Sequence, residues 1–209
     1  MELTKALEWR YATKKFDTEK KVSEEDLATI KEAIRLSPSS IGLQPYVVLT
    51  VKDPAIRQQL QPLAWGQPQI TEASHLLVFC NMTSLPAEYI DACAELHRSE
   101  RNGDEAMVQQ FKGVAAKIAS DKNAEQLAAW TAHETFISVG IAIAACAELK
   151  IDACPMGGFE PKEVNRILGL DAQGLNAVHI LPIGYRSAED AYEKLPKVRK
   201  PETMLFPEI

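Results

Sequence analysis

Two basic clusters carry the first chemical signal in this chain. Arg10 and Lys14 stand four residues apart, with Lys15 next to them. Near the other end, Lys197 and Arg199 are flanked by Lys194 and Lys200. Residues two apart on an extended segment face the same side, so Lys197 and Arg199 would point together. In a single pocket such charges would repel one another by several kcal/mol per close pair, even at an effective dielectric of about 20. A dianionic ligand removes that cost, and the arginine fork suits bidentate contact with phosphate. Spread over the surface, the same residues are a solvated face. Spacing alone leaves both readings open.

Two further segments could meet a ligand. Pro38-Ser39-Ser40-Ile41-Gly42-Leu43-Gln44-Pro45 is dense in hydroxyls, an amide and turn formers. Such a loop can hydrogen-bond a polar molecule or act as a plain connector. Cys154-Pro155-Met156-Gly157-Gly158-Phe159 carries two adjacent glycines. Their missing side chains let backbone approach a flat ligand, or make a tight turn. Familiar signatures are absent. There is no GxGxxG, no GxxxxGK(S/T), no GxSxG and no HExxH. Ser39-Ser40 follows a helix end rather than a strand, which argues against a nucleophile elbow. Cys80, Cys93, Cys146 and Cys154 show no CxxC spacing, and His75, His97, His133 and His179 are scattered, so no metal pattern is seen.

These groups must be positioned by a globular frame. The 209 residues are 46% hydrophobic and 25% charged, with a net charge of −6. That composition excludes a disordered, collagen-like or coiled-coil chain. The negative charge argues against a dedicated nucleic-acid binder. Unpatterned thiols suit a reducing cytoplasm, and the first ten residues lack a secretory pattern. The most apolar stretch, Thr135 to Ala147, is shorter than the about 20 residues that span a bilayer, so it is expected to be a buried core helix.

Helices are expected over Leu3–Trp9, from Ser23 as N-cap to before Pro38, and over Pro54–Leu63. Others are expected over Pro86–Arg98, Glu105–Ala119, Asn123 or Ala124 to about Leu149, and Pro161–Leu168 with Gly169 as the stop. Strands are expected at Tyr46–Val51, Leu76–Cys80 and Ala177–Gly184. The proline-punctuated tail from Tyr185 to Ile209 reads as an extended arm. With about four strands among many helices, the chain is expected to be α+β with a mixed sheet, in one domain over residues 1–209.

Taken in order, five segments resemble the FMN-dependent nitroreductase family. They are Arg10-Tyr11-Ala12-Thr13-Lys14-Lys15-Phe16, Ser37 to Pro45, Ala73-Ser74-His75 leading into an apolar strand, Pro155 to Phe159, and Leu195-Pro196-Lys197-Val198-Arg199. Each is weak alone; five in register across the whole chain are specific. The oxygen-insensitive NAD(P)H nitroreductase and dihydropteridine reductase branch is the most similar.

The resemblance implies a nitroreductase-like α+β fold and a homodimer with FMN at the interface, the C-terminal arm embracing the partner. It implies that Arg10, Lys197 and Arg199 hold the phosphate, with Tyr11 and Ala12 beside them. Lys14 would lie near the N1–O2 edge of the flavin. Pro38, Ser39, Ser40 and Gly42 would come from the other subunit. Gly66, Gln67 and Gln69 would approach the pyrimidine edge, by either glutamine. Pro155, Met156, Gly157 and Gly158 would lie along the N5 side, and Ile41, Trp65 and Phe111 would wall the substrate. Ala12 stands where many relatives have Ser, Gly42 where Asn is common, and Gly157 where one branch has Glu. The implied reaction is hydride transfer from NAD(P)H through flavin N5 to nitroaromatics, quinones, pterins or flavins in turn. Lys14 would stabilise charge on the reduced ring. No general acid is assigned. A flavin-fragmenting or dehalogenating relative, a flavin-binding protein without turnover, and a plain anion-binding domain are the alternatives.

Overall fold

The computed structural model describes residues 3–208. Ser23 opens α2 (Glu24–Arg35), accepting the Asp26 N–H at 3.0 Å and satisfying one of the free donors of the first turn. Asp53 does the same for α3 (Pro54–Leu63), with Pro54 in the first turn. Asn123 and Gln126 form a reciprocal capping box at the start of α7 (Ala124–Glu148). The remaining helices are α1 (Leu3–Trp9), α4 (Gln69–Glu72), α5 (Ala87–Arg101), α6 (Glu105–Ser120), α8 (Pro161–Leu168) and α9 (Glu202–Leu205).

Four strands, β1 (Tyr46–Thr50), β2 (His75–Met82), β3 (Asp152–Ala153) and β4 (Leu175–Gly184), form one sheet in the order β1-β2-β4-β3. Val48 stands opposite Phe79 and Leu77 opposite Leu181, with an irregularity between Phe79 and Cys80. The alternation of β2 divides the core. Leu77 and Phe79 pack with α2 and α7 through Leu27, Ile30, Val139 and Ala142. Val78 and Cys80 pack on the opposite face with Leu60 of α3 and Val164 of α8. Both faces of β2 are therefore covered, as its unbroken apolar run suggests. A third cluster lies under α5 and α6 and includes Leu43, Ile90, Val108 and Phe111.

The mixed sheet expected from the sequence is corrected. All three ladders are antiparallel, and parallel pairing among the described residues is confined to the bridge between Ala12 and Ala153. The β1–β2 and β3–β4 connections return the chain to the end it left, so neighbouring strands run in opposite directions. The extended arm is also interrupted. A 3-10 turn spans Ala191–Lys194, capped by Asp190 through the Tyr192 N–H at 2.9 Å, and α9 follows Pro201. Helix α7 has the length and apolarity to cross a membrane. Here it packs on α2 and the sheet, burying Val139, Ala142, Cys146 and Ala147.

Candidate functional site

The segment after α1 is fixed by two buried carboxylates. Asp190 accepts from the Tyr11 hydroxyl at 2.9 Å and from the Lys14 and Lys15 N–H groups at 2.7 and 3.2 Å. Burial alone would raise this carboxyl; the hydrogen bonds overcome that and hold it below its ordinary range. Asp152 accepts from Arg186 Nε at 2.9 Å and from the Arg186 N–H at 2.8 Å. The Arg186 guanidinium also stacks on Trp9 and Tyr11, at 4.4 and 4.6 Å from the ring centroids. The start of the arm is thereby stapled to residues 10–15. This brings Lys197 and Arg199 to Arg10.

Arg10 and Lys197 both feel neighbouring cations. Burial lowers the proton affinity of Arg10, and Arg199 lowers it further. Lys197 is lowered by burial and then by Arg10, Arg199 and Arg186. Lys197 Nζ donates to the Glu8 carbonyl, and Arg199 Nη1 to that of Val198 at 2.7 Å. Arg10 Nε is buried without a hydrogen-bond partner. Like charges held together with an open donor suit an anion.

The neighbouring groups form a polar floor. Burial raises the Cys154 thiol, while Lys14, Gln69 and Arg10 draw it partly back. Gln69 is 2% exposed; its Nε2 lies 3.8 Å from Cys154 Sγ and its Oε1 has no partner. Gln67 differs: its Nε2 donates to Ala64 O at 3.1 Å, inside its own turn. Trp65 and Gly66 both take positive φ, +56° and +69°. That turn throws the Trp65 indole out to 70% exposure and lays it against Gly158. A Cβ at Gly158 would sit 2.4 Å from Trp65 Cζ3, so this close approach requires glycine. Met156 pairs with Ile180 in both directions, at 2.9 and 3.0 Å, which pins the segment to β4. Pro155 is half-buried and Gly157 is exposed.

A different part of the chain holds Pro38 to Gly42. Ser40 donates its N–H and its hydroxyl to Glu134 of α7, at 2.7 and 2.6 Å. Ser39 Oγ accepts the Gln44 N–H at 2.8 Å. Ile41 has φ +53°, an uncommon state for a β-branched residue, and Gly42 follows at +74°. This loop borders a cleft of about 1230 Å³ with Tyr46, Tyr89 and His97, and Arg10, Lys14 and Gly157 are not among its lining residues. Within one chain the structure brings together Arg10, Tyr11, Ala12, Lys14, Gln69, Cys154, Lys197 and Arg199, with Trp65 over Gly158. Pro38, Ser39, Ser40, Ile41 and Gly42 lie in the separate cleft region. Phe111 is corrected from a substrate wall to core: it is 8% exposed and packs on His97 with ring centroids 4.4 Å apart. It sits on the inner face of α6 with Val108 and Ala115.

Glu134 escaped sequence reading because it looks like a charge flanking an apolar helix. The available signal was its place three residues after Thr131 and four before Ser138, on the side of α7 that turns inward. Asp190 and Asp152 also escaped: Asp190 is one of two adjacent acids, Glu189-Asp190, and Asp152 is a lone acid between Ile151 and Ala153.

This frame of helices on both faces of a small antiparallel sheet matches known proteins. The Nitroreductase family model matches residues 7–185, and the chain belongs to that family. A candidate NAD(P)H nitroreductase of Staphylococcus aureus is 36% identical over 197 residues, covering 90% of this chain and 88% of the relative. The major NAD(P)H-flavin oxidoreductase of Aliivibrio fischeri is 35% identical over 205 residues, covering 93% and 92%. Among solved structures, a candidate nitroreductase of Exiguobacterium sibiricum in complex with FMN superposes with a TM-score of 0.85 at 18% identity, covering 98% and 96%. A nitroreductase family protein of Streptococcus pneumoniae gives 0.85 at 21% identity, covering all of both chains. At those identities the structural likeness establishes the fold.

Proposed function

We propose that this chain is an NAD(P)H-dependent flavin oxidoreductase that works as a homodimer with FMN and passes hydride to flat acceptors such as nitroaromatics, quinones, pterins or flavins. The observation that carries the reading is the cationic corner. Arg199 lowers the proton affinity of Arg10, Arg10 and Arg199 lower that of Lys197, and Arg10 Nε is buried without a partner. A phosphate dianion answers both features. The unpartnered Oε1 of buried Gln69 suits an N–H at the edge of a flat polar ring, so the donors and acceptors present fit FMN.

FMN supplies hydride acceptance and release at its N5. The chain supplies position and field. Arg10, Lys197 and Arg199 hold the phosphate, and Tyr11 and Ala12 shape the backbone beside it. Gln69 binds the pyrimidine edge, while Gln67 and Gly66 hold the turn that presents Trp65. Lys14 places a positive charge where reduction adds negative charge. Pro155, Met156, Gly157 and Gly158 form the face against the ring, with Trp65 closing one side against bulk water.

A second copy completes the site. Pro38, Ser39, Ser40 and Gly42, held by Glu134, would reach the partner's flavin, and Ile41 would touch its acceptor. Exposed apolar groups support this pairing: Val198 at 87% and Phe206 at 69% on the arm, and Phe136 at 46% on α7. Residues 185–209 would form the exchanged arm of a single cytoplasmic domain. Protein incubated with excess FMN and then dialysed should keep a bound-flavin visible spectrum, which NADH or NADPH should bleach without air. Protein that stays colourless, or a bound flavin that neither nicotinamide reduces, would overturn the reading.

A further inference from the structure

Buried polar groups without partners are uncommon and each needs a reason, because each gives up its hydration and gains no hydrogen bond in return. Among the described residues, such atoms occur on Arg10, Gln69, Arg98, His179 and Arg186. Arg98 and Arg186 already form ion pairs, with Glu95 and Glu105 and with Asp152. The other three all border one stretch of backbone, Cys154 to Gly158. Arg10 and Gln69 flank Cys154. His179 stands at the other end.

The position of His179 follows from the pairing of strands. The antiparallel bridge between Met156 and Ile180 sets Gly157 beside His179. A Cβ built on Gly157 would find His179 Nδ1, at 4.0 Å, as its one near neighbour. The imidazole is 8% exposed, and both its nitrogens lack partners. Phe136 of α7 meets it edge-on, with ring centroids 5.4 Å apart and planes at 69°. Burial drives its pKa down to about 4, so at neutral pH the ring is uncharged and carries one donor and one acceptor. A residue selected only for packing would do better as Leu or Phe at this place.

We propose that His179 is a hydrogen-bonding residue of the flavin site, presenting an imidazole nitrogen beside Gly157 to the edge of the ring that lies along Gly157 and Gly158. It is the counterpart of Gln69 at the far end of the same backbone stretch. The absence of a side chain at Gly157 keeps the path from Nδ1 open. The inference rests on the flavin reading and adds a residue to it.

The test uses full-length protein labelled with 15N-histidine, with and without FMN, the His179 signals being assigned by their loss in His179→Asn. FMN binding should move the His179 ring nitrogens toward hydrogen-bonded values. In parallel, flavin fluorescence gives the FMN dissociation constant. His179→Leu should weaken binding about three- to tenfold, the loss of one hydrogen bond. His179→Asn keeps a polar atom near the Nδ1 position and should restore affinity to within about twofold. If FMN binds while the His179 nitrogens stay unmoved, the inference fails and the flavin reading stands. Unchanged affinity in a folded His179→Leu has the same meaning. If wild-type protein binds no FMN, both fail. Should His179→Leu not fold, the wild-type nitrogen shifts alone decide.

Discussion

Removing the Glu134 carboxylate should unlock the Pro38–Gly42 loop at a measurable cost. Glu134 is 7% exposed and accepts two short hydrogen bonds, from the Ser40 N–H and from its hydroxyl. A hydrogen bond to a charged group contributes about 1.5–3 kcal/mol. Ser40 itself is exposed, so water can replace part of each bond and the low end applies. Glu134→Ala should therefore lose about 3 kcal/mol for the two bonds together. Ser40→Ala removes the hydroxyl bond alone and should lose about 1.5 kcal/mol. The double variant should show a coupling of about 1.5 kcal/mol, since only the hydroxyl bond is shared. For a chain of this size, the Glu134→Ala loss corresponds to a fall in Tm of about 6–12 °C. Thermal and urea unfolding of the four proteins at one fixed concentration measures all of this. Concentration must be held constant because dimerisation adds to apparent stability. A coupling below about 0.5 kcal/mol would refute the hydroxyl bond, and a Glu134→Ala loss below about 1 kcal/mol would show that Glu134 does not hold the loop.

Three other outcomes follow from the same structure. The His179 pKa falls from 6.5 to about 4, so the unfolded chain binds the proton first; its stabilisation is fully present above pH 6.5 and is lost as pH falls toward 4. Stability should drop by about 3 kcal/mol across that window, and His179→Phe should flatten the profile, while an unchanged profile in that variant refutes the assignment. Gly158→Ala puts a methyl 2.4 Å from Trp65 Cζ3, so the indole must swing away. Its exposure makes the stability cost small, under about 1 kcal/mol, and Trp65 fluorescence should change; identical emission would contradict the packing. Lys14→Met should lower the reduction potential of bound FMN and slow its reduction by nicotinamide, and an unchanged potential would remove the electrostatic role.

The regular elements were legible because their signals are local. Ser23 and Asn123 marked helix starts, and the apolar runs marked β2 and β4. What stayed hidden depends on distant partners. β3 is two residues long and starts with Asp152, a buried acid that makes sense only beside Arg186. Asn81 lies within β2, yet it is buried because Thr131 Oγ1 and Ala128 O accept from its amide, at 2.8 and 2.9 Å. In the candidate site, alternation is a local signal that sets Lys197 and Arg199 on one side of an extended segment, and Lys197 feels Arg199. Their meeting with Arg10 depends on Asp190, which ties the arm to the Tyr11–Lys15 stretch. Phe111 shows the opposite case. An aromatic residue in a helical pattern can face a substrate or a core, and only the packing of α5 on α6 decides.

Arg10, Lys197 and Arg199 are proposed as the phosphate site for a flavin mononucleotide. Calorimetric titration of flavin-free protein with FMN and with riboflavin tests it most directly, because the two ligands differ only in the phosphate. FMN should bind at least about 100-fold more tightly, a difference of about 2.7 kcal/mol. Arg199→Ala should erase at least about tenfold of that preference. Equal affinity for the two ligands, or a preference that Arg199→Ala leaves intact, would contradict it.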